Sequence, residues 1–75
     1  MITVKLFGLV RLETGIKELQ VNAANIRELK KEVSRYIPEE KVKGCVLLVN
    51  GRQANNFTKL KDGDQVMLMP PVAGG

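Results

Sequence analysis

The chain has 75 residues, 44% apolar and 27% charged, with a formal net charge of +4, one cysteine and no histidine. Such a length and composition describe one small folded domain with a thin core rather than a disordered chain. One cysteine and no histidine exclude an internal disulfide, the usual zinc sites and any Ser-His or Cys-His nucleophile pair, so a stand-alone enzyme is not expected and any chemistry would use the chain as substrate or carrier.

Residues 2–7, Ile-Thr-Val-Lys-Leu-Phe, alternate at period two. They predict a half-buried strand with Ile2, Val4 and Leu6 on one face and Phe7 on the other. Residues 8–15, bounded by Gly8 and Gly15, read as a loop. Residues 16–21 read as a second strand with Leu19 and Val21 inward, antiparallel to the first.

Asn25 is suited to cap a helix, and Glu28 three residues on gives a pattern like a capping box. Ile26, Leu29, Val33, Tyr36 and Ile37 then form one apolar stripe at helical spacing. Lys30, Lys31, Ser34 and Arg35 lie largely opposite, and Pro38 ends the helix near Ile37 after about three turns.

Residues 45–49, Cys-Val-Leu-Leu-Val, read as a central strand that begins on Cys45, expected to be a buried structural thiol. Asn50-Gly51 is the residue pair a type I′ hairpin turn requires, and residues 52–54 make a brief return strand. Phe57 and Leu60 are expected to pin an irregular turn to the core. Asp62 and Asp64 flank Gly63 in a second tight turn. Residues 65–69 are the last strand, with Val66 and Leu68 inward, and Pro70 ends it. The element order is ββαβ(β)β. It predicts an α+β domain over residues 1–69, with one main helix across a mixed sheet of four to five strands and the first and last strands parallel at its centre.

The final residues are Pro70-Pro71-Val72-Ala73-Gly74-Gly75. Proline fixes φ and cannot continue a ladder, whereas glycine fits channels too narrow for any side chain. Residues 70–75 therefore read as a stiff spacer with a bare end, about 20 Å long if extended. A tail of this kind suits entry into another protein's active site.

The whole chain resembles the β-grasp, ubiquitin-like sulfur carriers of the MoaD/ThiS type. The resemblance rests on Met1-Ile2-x-Val4 leading to Phe7 and Arg11, on Ile26-Arg27-Glu28-Leu29 and on Val49-Asn50-Gly51. Its most specific part is Leu60-x-Asp62-Gly63-Asp64-x-Val66 running into Pro70-Pro71-Val72-x-Gly74-Gly75. The proline pair favours the small subunit of molybdopterin synthase over the thiamine-pathway carrier. Where relatives often read Phe-Ala-x-Leu-Arg-Glu, this chain has Phe7-Gly8-Leu9-Val10-Arg11-Leu12.

The resemblance implies that the carboxylate of Gly75 is adenylated by an E1-like partner and converted to a thiocarboxylate. Pro70, Pro71, Val72, Ala73 and Gly74 would enter the partner. The large subunit of molybdopterin synthase would then use the sulfur on a pterin precursor. ATP would be consumed by the activating partner, and no cofactor would be bound by the chain itself. A docking face is expected at Phe7, Met67 and Met69, since methionine packs adaptably against more than one partner.

A protein modifier joined to lysines through Gly75 would use the same acyl-adenylate. A basic module binding RNA is permitted by the charge, but the scattered cations and scarce aromatics argue against it. With no apolar run near 18 residues and no basic, apolar leader at Met1, the cytosol is the expected compartment.

Overall fold

The computed structural model describes residues 1–70. Five strands form one sheet: β1 (Ile2–Leu6), β2 (Glu18–Val21), β3 (Val46–Val49), β4 (Arg52–Gln53) and β5 (Gln65–Met69), in the order β2-β1-β5-β3-β4. Three helices connect them: α1 (Gly8–Thr14), α2 (Ile26–Val33) and α3 (Glu39–Lys43). β1 and β2 pair antiparallel, with Val4 opposite Leu19. β1 and β5 pair in parallel at the centre, with Val4 opposite Val66. Both pairings are those expected from the order of the elements, and the whole is an α+β fold of the β-grasp type.

The core is what that alternation places on one side. Ile2, Val4 and Leu6 of β1, Val66 and Leu68 of β5 and Leu47 of β3 are buried against Ile26, Leu29 and Val33 of α2. α1 and α3 each add one buried residue, Val10 and Val42, to the same cluster. All three helices therefore cover one face of the sheet.

α2 starts as its sequence dictates. The Asn25 side chain accepts a bond from Glu28 N at 2.9 Å, and Glu28 Oε1 reaches back to Ala24 N at 3.4 Å, one residue short of a reciprocal box. The two preceding amides donate to the 55–58 loop, Ile26 N to Thr58 O at 3.0 Å and Arg27 N to Asn56 O at 3.2 Å. The donors that a helix start leaves orphaned are thus satisfied.

Three sequence expectations are corrected here. Residues 8–14 are not a loop but α1. Only Val10 of that helix is buried while Leu9 and Leu12 are 63% and 78% exposed, so no apolar period marks it. Its end is marked by Gly15 at φ 73°, whose N–H donates to Arg11 O at 2.9 Å, the αL cap that glycine favours. α2 stops at Val33. Bonds of the tighter i−3 kind, Arg35 N to Glu32 O and Tyr36 N to Val33 O, follow it. Ile37 remains in the core, but Tyr36 is exposed. Phe57 does not pin its turn, being 85% exposed. Its N–H is taken by Asn55 Oδ1 in an Asx turn, and Leu60 alone anchors the segment. α3 was not anticipated; it is one short turn after Pro38, with Glu39 and Glu40 first and Lys41 and Lys43 last, as the helix dipole prefers.

The two short motifs of the C-terminal half are joined. Asn50 and Gly51 have φ of 50° and 87°, the double positive value of a type I′ turn. The Asn50 side chain accepts from Gln65 N at 3.0 Å and donates to Asp64 Oδ1 at 3.1 Å, while Lys61 N donates to Asp64 Oδ2 at 2.8 Å. The Lys61 amide first, then the Asn50 amide group, hold the Asp64 carboxyl below its ordinary value of 3.8. This clasp is complete above that value and is lost as pH falls through the depressed one, because the folded state then must take up a proton it binds weakly.

Replacing Asn25 by alanine removes the acceptor for Glu28 N and should cost about 1 kcal/mol, or roughly 4–8 °C in a thermal melt. An unchanged melting temperature would show that the 55–58 loop alone sustains the start of α2.

Candidate functional site

Because the helices occupy one face of the sheet, the other face has no covering element among the described residues. Its composition follows from register. Lys5, Met67 and Leu48 form one row across β1, β5 and β3, and Met69 with Val46 forms the next. Leu6 lies opposite Leu68, and Phe7 N donates to Leu68 O at 3.1 Å, so Phe7 follows on directly at the end of the ladder. Phe7, Val46, Leu48, Met67 and Met69 are all half-buried, each shielded only by its neighbours. The result is an apolar patch on the central strands, with Thr3, Lys5 and Gln65 toward the opposite end.

The three residues predicted for this face, Phe7, Met67 and Met69, are thus brought together. Phe7, however, lies one residue beyond β1, at the N-cap of α1, rather than within a strand. Val46 and Leu48 were missed, because the apolar run 45–49 reads as a strand buried on both faces. The outward Met67 and Met69 could have indicated them, since antiparallel partners share a face.

The patch adjoins the root of the tail. Pro70 is half-buried and packs on Gly8: a Cβ placed on Gly8 would stand 2.7 Å from Pro70 Cγ and 3.0 Å from Cδ. Gly8 also has φ 64°, a conformation costly for other residues. Both constraints call for glycine at position 8 of this chain. Pro70 leaves β5 beside the start of α1, at the Phe7 and Met69 end of the patch. The residues expected to be handled by partners, Pro71, Val72, Ala73, Gly74 and Gly75, lie outside the described residues.

Cys45 is half-buried rather than buried. Its Sγ donates to Lys41 O at 3.0 Å, and burial pushes the thiol above 9.0, which keeps it protonated and poorly nucleophilic at neutral pH. No group of three or more His, Cys, Asp or Glu among the described residues could hold a metal ion.

The cations are less scattered in space than in sequence. Arg27, Lys30, Lys31 and Lys43 line a cleft of about 400 Å³ between α2 and α3, with Glu39 as its one carboxylate.

The ThiS family matches residues 4–75 of this sequence. The chain belongs to the ThiS family. It is a small ubiquitin-like sulfur carrier. Among solved structures, a Pyrococcus furiosus protein provisionally assigned as molybdopterin converting factor, subunit 1, is 30% identical with a TM-score of 0.79, over 95% of this chain and 97% of that one. In the complex of subunits 1 and 2 of the molybdopterin-converting factor from Helicobacter pylori, the matching chain is 28% identical with a TM-score of 0.72, over 99% and 97%. The small archaeal modifier protein 1 of Methanosarcina acetivorans shares the fold with a TM-score of 0.83 at 24% identity, over 99% and 95%. No curated protein matches the sequence. No helix of the described residues is long and apolar enough to cross a membrane.

Gly8→Ala should destabilise this ThiS-family chain by about 1–3 kcal/mol, from the left-handed backbone and the displaced Pro70 together. A melting curve superimposable on that of the parent would refute the packing of Pro70 on Gly8.

Proposed function

We propose that this chain is the sulfur-carrying small subunit of a molybdopterin synthase and acts in the cytoplasm. The observation that carries the reading is the likeness, at 30% and 28% identity over nearly whole chains, to two molybdopterin-converting-factor subunits. The Pro70-Pro71 pair before Gly74-Gly75 supports it further.

In this reading the chain supplies the reacting carboxylate and two partners supply catalysis. A carboxylate is a poor electrophile because its oxygen is a poor leaving group. An E1-like adenylyltransferase therefore joins the Gly75 carboxylate to the α-phosphate of ATP, with pyrophosphate leaving. A sulfur donor attacks the acyl carbon, AMP departs, and Gly75 ends in a thiocarboxylate. The large synthase subunit then receives the tail, and the sulfur passes to its pterin substrate. Such a transfer needs the sulfur about 3–3.5 Å from the carbon it attacks, which a tail without bulk can deliver inside a closed pocket.

The apolar patch gives both partners a place to hold the body while the tail is inside them. Phe7, Met67 and Met69 are the contact residues of this reading, and Val46 and Leu48 extend them. Their position beside Pro70 means that a partner seated there has the tail entering at its edge. Methionine at two of these positions suits successive engagement of two different surfaces.

Gly74→Val adds a branched side chain where the tail must thread. It should leave the fold intact, yet abolish ATP–pyrophosphate exchange with the activating enzyme and the mass gain of oxygen replaced by sulfur. Normal thiocarboxylation of that variant would overturn the reading of a narrow channel. A ladder of high-mass conjugates in native cells, in place of the thiocarboxylate, would instead identify a protein modifier.

A further inference from the structure

We propose that the cleft between α2 and α3 is a docking site for an acidic segment of a partner protein, on the side of the domain opposite the apolar patch. Arg27, Lys30, Lys31 and Lys43 line it against the single carboxylate of Glu39. The excess positive charge at this one place nearly equals the net +4 of the whole chain. Like charges drawn together repel one another, and a concave, low-dielectric wall focuses their field outward, so an arrangement of this kind is completed by an anionic partner.

The cations are not consumed by the fold. Among the described residues Arg27, Lys30 and Lys31 have no carboxylate within ion-pair distance, and Lys43 meets Glu39 only at 3.8 Å on an exposed surface. Lys30 is held in place by a neutral group, its Nζ donating to Asn56 Oδ1 at 2.7 Å. That bond fixes one charge at the wall without neutralising it. Ser34 completes the lining, its hydroxyl proton given to Lys30 O at 2.7 Å, which leaves its oxygen lone pairs to accept.

The occupant is protein rather than nucleic acid. A phosphodiester backbone needs a continuous basic track and stacking platforms for its bases. Here Glu28 and Glu32 stand on the next stripe of α2 and interrupt the track, and none of the lining residues is aromatic. Two or three carboxylates of a short acidic segment match four cations within a cleft of this volume without crossing those glutamates. Because α2 and α3 cover the inner face of the sheet, a partner bound here leaves the apolar patch and the root of the tail open. The site is independent of which pathway the sulfur enters.

The test is an NMR titration of the full chain with a capped hexaglutamate peptide, in parallel with an oligothymidylate of six nucleotides and with inorganic phosphate. Amide shifts should centre on residues 27–34 and 42–43, with the peptide binding more tightly than either other probe and binding fading as salt screens the charges. Lys31→Glu with Lys43→Glu should weaken the peptide about tenfold or more, while Arg52→Glu with Lys59→Glu, the same charge change elsewhere, should stay within about twofold of the parent. Should the first pair fail to fold, Lys31→Gln with Lys43→Gln is expected to give an intermediate loss. Shifts spread evenly over the basic surface, equal losses in both variants, or tighter binding of the oligothymidylate would each overturn the proposal.

Discussion

From Thr3 to Leu6 the first strand lies in parallel beside Gln65–Leu68 of the last, and that pairing places every other feature of the molecule. A parallel pair cannot be closed by a tight turn, so all the intervening chain must cross over and return. The crossover carries α2, which covers one face of the sheet and buries Leu29 and Val33 against Val4 and Val66. The same pairing sends β5 toward Phe7 and fixes where Pro70 emerges, against Gly8. The tail of a ThiS-family carrier is therefore launched from the centre of its sheet rather than from a frayed edge. Pulling on such an end loads the best-buried strands of the domain.

With its apolar residues divided between two faces, this small sheet does two tasks. The inner face is sealed by three helices and sets stability. The outer face, built from Val46, Leu48, Met67 and Met69 on the central strands, remains half-covered in a chain that has few apolar residues to spare. Leaving those side chains partly wet is unfavourable for the isolated domain, by about 25 cal/mol for each Å² that a partner could cover. Association through that face, as proposed, would recover that free energy. Of the two short motifs, Asn50 and Asp64 fasten the β3–β4 turn to the start of β5. Gly63 N donates to Met1 O at 2.9 Å and Asp62 pairs with the Met1 amino group, so the second turn also ties the start of β1 to that of β5.

Much of this was legible in the residues. Strict alternation in residues 2–6 and 65–69 gave both central strands and their inward side chains. Asn25 with Glu28 gave the start of α2, and Asn50-Gly51 gave the hairpin. What escaped did so for identifiable reasons. α1 buries only Val10, and one residue makes no period. α3 is a single turn with one buried valine. Tyr36 followed the helical spacing of its neighbours, but the tightening after Val33 left it outside. Phe57 was assigned to the core on hydrophobicity alone, whereas the Asx turn at Asn55 governs that segment. The outer patch was half legible: Phe7, Met67 and Met69 follow from the alternation, while Val46 and Leu48 needed the pairing register. The basic cleft could not be read at all, because it depends on how closely α3 approaches α2.

Amide hydrogen exchange tests the central role of the β1–β5 pair most directly. The amides of Phe7 and of Val66–Leu68 should exchange only through global unfolding, with the highest opening free energies in the chain and well above those of α1 and α3. Exchange of the β5 amides through a local opening, while α2 stays protected, would contradict it, since the strand that carries the tail would then be a loose edge rather than the anchor of the domain.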